Sequence, residues 1–158
     1  MLHKLTPSIW FGDKDALAAS KDDVAAVLNV AHVIRDPAYW TTLSKLHSRV
    51  AYFRLAKRDR EPFQAEYIEN VLTVIELVQR RNLFPLLCHC QRGGHRGPTA
   101  AILAHWATSE RRDWALAEAL EATRIMVPSL TTALTATGDR ALYHKQIIAY
   151  CVANSVRS

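Results

Sequence analysis

The stretch Cys88-His89-Cys90-Gln91-Arg92-Gly93-Gly94-His95-Arg96-Gly97-Pro98-Thr99 decides how this 158-residue chain folds. Before it runs Leu83-Phe84-Pro85-Leu86-Leu87, which reads as a short buried strand. After it comes Ala100-Ala101-Ile102-Leu103-Ala104-His105-Trp106, which reads as a buried helix. A strand, a glycine-bearing loop and a helix N-terminus make an anion nest. Backbone N–H groups left unpaired at the helix start converge on one point, and the helix dipole adds positive potential there. A phosphate-sized dianion fits such a nest, and Cys90 opens it while Arg96 closes it.

Both end residues have a chemical reason to be there. Cysteine attacks as its thiolate, and a helix N-terminus with cationic neighbours favours that form, so Cys90 is a candidate nucleophile. Arg96 offers a planar fork of donors able to hold two phosphoryl oxygens through a transition state. Three of the five glycines, Gly93, Gly94 and Gly97, lie in this stretch. Gly93 and Gly94 permit positive φ and let the backbone approach a ligand closely.

These residues carry a resemblance. His89-Cys90-x5-Arg96, with Gly93 at the third position after the cysteine, resembles the phosphate-binding signature of the cysteine-dependent protein phosphatases. In size and order the chain is most similar to the small dual-specificity phosphatases. Thr6-Pro7-Ser8-Ile9-Trp10-Phe11-Gly12-Asp13, then a helix, then Val27-Leu28-Asn29-Val30, is similar to that family's first strand, turn and second strand. A cysteine so far from the N-terminus matches the low-molecular-weight phosphatases poorly.

The remaining sequence agrees with an α/β layer structure, a central mostly parallel sheet flanked by helices, with the Cys90 loop beyond the carboxyl ends of the strands. Ile9 to Phe11, Val24 to Val30 and Val50 to Leu55 read as strands, with a helix at about Lys14 to Ser20. Ile68, Val71, Leu72, Ile75 and Val78 recur at helical spacing between Gln64 and Arg81, with Pro62 near the start. Asp113 is placed to cap a helix through about Arg124. A Thr-rich connection follows Pro128, and Gly138-Asp139 precedes a last helix whose inward face holds Tyr143, Ile147, Tyr150 and Cys151. Ile34 to Ser48, with Pro37 and paired aromatics, resists assignment. Pro85 also conflicts with a central strand, since it lacks a ladder donor, so the regular strand is expected to begin at or after it.

Composition sets bounds. With 49% hydrophobic residues and no Gly/Ser-rich linker, residues 1–158 suit one phosphatase-like catalytic domain. Three cysteines, an odd number, argue against a disulfide framework and for a reducing compartment. No apolar run spans a membrane and no signal-peptide segment is evident, so a cytoplasmic location is expected. A net charge of +5 favours anionic partners in general.

The resemblance implies a proton donor, an aspartic acid about thirty residues before the cysteine. Asp59, in Lys57-Arg58-Asp59-Arg60-Glu61 after the Val50 to Leu55 strand, fits this role, with Glu61 as the substitute. The basic neighbours favour the carboxylate, so an activity optimum below neutrality is expected. The same segment also reads as an ordinary solvated charged loop. The resemblance further gives His89 the role of hydrogen-bonding the loop backbone and helping to set the thiolate; a satisfied core histidine is the plainer reading. One position departs from the family. A Ser or Thr usually follows the arginine, its hydroxyl stabilising the thiolate when the phosphoenzyme is hydrolysed, and here that residue is Gly97. Thr99, two residues on in a helix, points about 200° away and does not replace it.

The phosphate loop is thus Cys90 to Gly97, with Gln91, Arg92, Gly93, Gly94, His95 and Gly97 lining it. Arg92, His95, Lys57, Arg58 and Arg60 are expected to make its rim basic. No cofactor and no metal is expected: Cys88, His89, Cys90 and His95 lack the separated ligand pairs of a zinc site, which would also leave the glycines unexplained. Cys88 reads as a buried inert thiol; a disulfide with Cys90 lies near the limit of bridge geometry. The expected partner is a phosphorylated protein, carrying phosphotyrosine and/or phosphoserine/threonine, or a small anionic phosphate ester. Phosphoinositides, inositol phosphates and RNA 5′ ends are the alternatives, RNA disfavoured by the lack of a paired-aromatic recognition motif. A pseudophosphatase that binds phosphorylated partners without turnover is the reading of another class, suggested by Gly97.

Overall fold

A computed structural model describes residues 1–58, 61, 63–93, 96–126 and 139–155, with only the backbone described at 113, 139–145 and 155. Asp59, Arg60, Pro62, Gly94, His95, Pro128 and Gly138 lie outside the described residues, as do the side chains of Asp113 and Tyr143.

Five strands form one sheet in the order β1-β2-β5-β3-β4. They are β1 (Leu2–Lys4), β2 (Ile9–Gly12), β3 (Ala26–Ala31), β4 (Ala51–Lys57) and β5 (Leu86–His89). Only the β1–β2 pair is antiparallel; the β2–β5, β5–β3 and β3–β4 pairs are parallel. β3 and β5 are buried along their whole length, as expected of central parallel strands covered on both faces. The edge strand β1 was not anticipated, because three residues give too short an alternation to read.

Pro85 finds its place just outside the ladder. The regular strand begins at Leu86, whose N–H donates to the Ser8 carbonyl at 2.8 Å, while the Pro85 carbonyl accepts the Ala25 N–H at 3.0 Å. The missing donor therefore falls before the first ladder bond.

Six helices complete the described chain: α1 (Ala16–Ser20), α2 (Pro37–Leu46), α3 (Ala65–Arg80), α4 (Arg96–Thr108), α5 (Arg112–Met126) and α6 (Asp139–Ser155). The unassigned Ile34 to Ser48 segment contains α2. Its start was legible in Asp36-Pro37: the Asp36 carboxylate accepts the Ala38 N–H at 3.0 Å as an N-cap, and Pro37 occupies the first helical position, where no donor is needed. α5 begins at Arg112, so Asp113 lies within its first turn rather than capping it.

α3 buries Ile68, Val71, Ile75 and Val78, each contributing roughly 1.5–3 kcal/mol of burial. It ends on Asn82 at φ 52°, with Leu83 N–H donating to the Val78 carbonyl and Asn82 N–H to that of Gln79. That pair of bonds satisfies the last carbonyls of the helix and turns the chain into β5. α4 is apolar on nearly all sides and buried accordingly. It packs on β2, β3 and β5 and is covered by α3, α5 and α6. Its N-terminus is thus held rigidly at the carboxyl edge of the sheet, where the Cys90 loop emerges.

Candidate active site

His89, the last residue of β5, pairs in register with Gly12, the last residue of β2, and with Asn29 of β3, which runs on to Ala31, so β2 and β5 end at one level. Cys90 is the first residue beyond that edge. Its N–H donates to the Gly12 carbonyl at 3.3 Å, and the Gln91 carbonyl accepts the Lys14 N–H at 3.3 Å. The loop is stitched to the β2–α1 connection at two successive residues.

The Cys90 sulfur accepts the Gly93 N–H at 3.1 Å, and the side chain is 2% exposed. A backbone donor aimed at the sulfur favours negative charge on it. Gly93 achieves this with φ +73°, and a Cβ there would stand 2.9 Å from the Asp13 nitrogen and the Gly12 carbonyl carbon. Only glycine meets both demands.

Arg96 begins α4 and is 8% exposed; its Nη1 donates to the Lys57 carbonyl at 2.6 Å. β4 therefore orients the guanidinium from across the sheet edge. Lys57 itself departs from the rim role expected of it. It is 5% exposed, and its Nζ donates to the Arg58 carbonyl at 3.0 Å and to the Glu61 carbonyl, beside the Phe63 ring. The ammonium is turned inward because the Arg58 and Glu61 carbonyls both accept from it. Arg58 and Arg92 are exposed, as is Gln91, consistent with a basic rim. The proposed acid Asp59, with Arg60, Gly94 and His95, lies outside the described residues; the carbonyls of Arg58 and Glu61 that flank Asp59 are those held by Lys57.

Gly97 sits in the first turn of α4 with its backbone outside the positive-φ region. A Cβ there would meet the Gly12 oxygen at 3.1 Å, the Cys90 nitrogen at 3.2 Å and the Cys88 oxygen at 3.3 Å. All three are backbone atoms of β2, β5 and the loop that begins at Cys90. Thr99 is fully buried in α4.

His89 is fully buried. Its Nδ1 contacts the Cys90 carbonyl at 3.2 Å, and its Nε2 meets the Tyr39 hydroxyl at 2.8 Å. Burial pushes its pKa down to about 4, against a smaller raising effect of the Cys90 carbonyl contact. Tyr67, on α3, donates to the Leu55 carbonyl at 2.6 Å. Burial raises its pKa, an effect opposed by the Arg96 charge. Burial lifts the Cys88 thiol to about 12, in keeping with an inert core residue. Among the described residues no group of three or more His, Cys, Asp or Glu is placed to hold a metal ion. None of the described helices is long and apolar enough to cross a membrane.

Of the residues the sequence reading groups as one loop and its support, Cys90, Gln91, Arg92, Gly93, Arg96, Gly97 and His89 lie in one segment from the end of β5 to the first turn of α4. That reading missed Tyr39, Tyr52 and Asn29, which stand behind His89. One signal was present: Asn29 is a polar residue inside the apolar run Val27 to Ala31, and a buried amide needs partners.

A mostly parallel sheet whose central strand leads through a cysteine-bearing loop into a buried helix is the arrangement of the dual-specificity and protein-tyrosine phosphatase fold, and the chain has that fold. Human DUSP28 superposes with a TM-score of 0.64 at 18% identity, covering 100% of each chain. A mutant form of Tk-PTP gives a TM-score of 0.66 at 14% identity, covering 99% of this chain and 97% of that one. OH1 from the Orf virus, described as a tyrosine phosphatase with triple substrate specificity, gives 0.61 at 15% identity, covering 96% of this chain and 87% of that one. No protein-family model matches the sequence, and comparison with curated proteins gives no match.

Proposed function

We propose that the chain is a cysteine-dependent phosphate monoester hydrolase, a single catalytic domain that passes through a phosphocysteine. The observation that carries this reading is the Cys90 sulfur, which receives the Gly93 N–H at the mouth of a loop whose far end is Arg96, docked on the Lys57 carbonyl. The thiolate attacks phosphorus, an S–P bond forms and the ester P–O bond breaks, with Asp59 passing its proton to the departing oxygen. Water then attacks phosphorus, the P–S bond breaks, and the water proton returns to Asp59. Arg96 and the loop N–H groups hold the equatorial oxygens in both steps. Phosphotyrosine and/or phosphoserine/threonine in proteins is the substrate class we favour, since an exposed Arg92 and Arg58 beside the loop suit an anionic surface around the phosphate. A thiol nucleophile works in a reducing compartment, and an odd number of cysteines argues against a disulfide framework, which supports the cytoplasm.

The packing around Gly97 supports a second reading, a pseudophosphatase. Gly97 supplies no hydroxyl to assist the second step, and a Cβ there would crowd the Gly12, Cys88 and Cys90 backbones, while the Gly93 N–H on the Cys90 sulfur and the docked Arg96 remain for binding. One comparison separates the two. Under the hydrolase reading Cys90→Ser loses hydrolysis of nitrophenyl phosphate and phosphopeptides while still binding them, and Arg96→Lys impairs both binding and turnover. Wild-type protein that binds phosphopeptides and hydrolyses no phosphate ester establishes the pseudophosphatase instead, and a Cys90→Ser variant as active as wild type refutes the phosphocysteine.

A further inference from the structure

Behind the phosphate loop a line of polar groups, buried except for the half-buried Tyr52, runs from β3 through β4 and α2 to His89. The Asn29 Oδ1 accepts the Ala31 N–H at 2.9 Å, and its Nδ2 donates to the Tyr52 hydroxyl at 2.9 Å. Tyr52 and Tyr39 hydroxyls lie 3.1 Å apart, Tyr39 lies 2.8 Å from His89 Nε2, and His89 Nδ1 lies 3.2 Å from the Cys90 carbonyl.

The proton order along this line is determined from both ends. At the near end a carbonyl can only accept, so His89 Nδ1 must carry the hydrogen; in the neutral ring Nε2 is then an acceptor and Tyr39 must donate to it. At the far end a backbone N–H can only donate, which fixes the Asn29 amide with its oxygen toward Ala31 and its NH₂ toward Tyr52. Tyr52, accepting from Asn29, turns its own hydrogen to Tyr39. The two deductions meet without conflict: Asn29 donates to Tyr52, Tyr52 to Tyr39, Tyr39 to His89, and His89 to the Cys90 carbonyl. Burial supports the order, since it keeps His89 neutral and raises the Tyr39 pKa, so the phenol remains a donor.

We propose that Asn29, Tyr52 and Tyr39 are positioning residues that hold His89 in its Nδ1–H form and thereby fix the Cys90 carbonyl, presetting the first peptide of the phosphate loop. Because the peptide is planar and trans, a carbonyl anchored toward His89 turns the Gln91 N–H the opposite way. A loop set in advance spends less binding energy on ordering itself around the anion. Free imidazole side chains favour the Nε2–H form, so the relay selects the less common tautomer.

Ring nitrogen shifts in ¹⁵N-labelled full-length protein at pH 7 read this directly, His89 being assigned by its absence from a His89→Asn sample. The expected wild-type pattern is a protonated Nδ1 and an unprotonated Nε2. An Nε2–H ring or an imidazolium overturns the proposal without any variant. In Tyr39→Phe the Nε2–H form is expected to gain population, and inorganic phosphate, measured by calorimetry, should bind roughly three- to tenfold more weakly, the worth of one lost hydrogen bond. Tyr52→Phe should do less, because Tyr39 keeps a hydrogen for His89. A Tyr39→Phe protein that keeps the tautomer and phosphate affinity, whatever its melting temperature, overturns the relay. The proposal rests on the hydrolase reading only for its effect on turnover: if wild type cleaves no ester yet shows these shifts and affinities, the relay stands and that reading falls.

Discussion

Gly97 offers the sharpest test of how the loop and the chemistry depend on each other. Its backbone is not in the left-handed region, so a side chain is opposed by contact alone: a Cβ at 3.1–3.3 Å from the Gly12 oxygen, the Cys90 nitrogen and the Cys88 oxygen. These are backbone atoms of two paired strands and of the loop residue hydrogen-bonded to one of them, and they cannot rotate aside as a flexible side chain would. Overpacking of this kind costs about 1–3 kcal/mol. For a domain of this size that is a fall of roughly 2–12 °C in melting temperature. Gly97→Ala carries the steric cost without a hydroxyl, and Gly97→Ser carries the same cost with one. Wild type should show a burst of product on rapid mixing with nitrophenyl phosphate, followed by slower turnover, because hydrolysis of the phosphocysteine lacks the hydroxyl that stabilises the leaving thiolate. Gly97→Ser should then turn over about fivefold faster than Gly97→Ala, the worth of one hydrogen bond. Scanning calorimetry and quenched-flow kinetics on the three proteins supply the readings. An unchanged melting temperature in Gly97→Ala refutes the packing argument. No burst in wild type, with Ser and Ala variants equal, refutes the kinetic one.

Two further predictions follow from the same surroundings. Burial lowers the His89 pKa from 6.5 to about 4, so between these values the unfolded chain binds a proton that the folded chain refuses; stability is full above pH 6.5 and falls with pH, by about 3 kcal/mol at pH 4. His3 and His105 are also lowered by burial; urea unfolding of wild type against His89→Asn isolates the His89 share, and parallel pH curves for the two proteins would disprove it. Asp59→Asn should cut hydrolysis of alkyl phosphates by roughly 10²–10⁴ and that of nitrophenyl phosphate far less, since a good leaving group needs little proton assistance. Equal losses on both esters, or the selective loss appearing in Glu61→Gln instead, would remove Asp59 from the acid role.

The strand–loop–helix setting of Cys90 was legible because its signals are local. A strand of Leu86-Leu87-Cys88-His89, glycines that tolerate positive φ and a helix of small apolar residues follow one another without interruption, and their order alone places a thiol at a helix N-terminus. The face of α3 was legible for the same reason, its apolar residues recurring along one element. α2 was legible in principle at Asp36-Pro37, a cap and a first helical residue side by side. Lys57 was misread, since a lysine among charged neighbours looks solvated until the chain is seen to fold two carbonyls over its ammonium.

Sequence by itself determined the α/β order and the strand–loop–helix run that carries Cys90 and Arg96, because short-range stereochemistry and hydrophobic period are written along the chain. It also registered that Gly97 lacks a hydroxyl. Only the tertiary structure decided why that position is tight, with Gly12, Cys88 and Cys90 backbones closing on it from two strands and a loop. Only it placed Asn29, Tyr52 and Tyr39 in one line behind His89. Those residues come from β3, β4 and α2, and hydrogen-bond direction depends on which groups the sheet register and helix packing bring within 3 Å or so of each other, a distance the chain order does not encode.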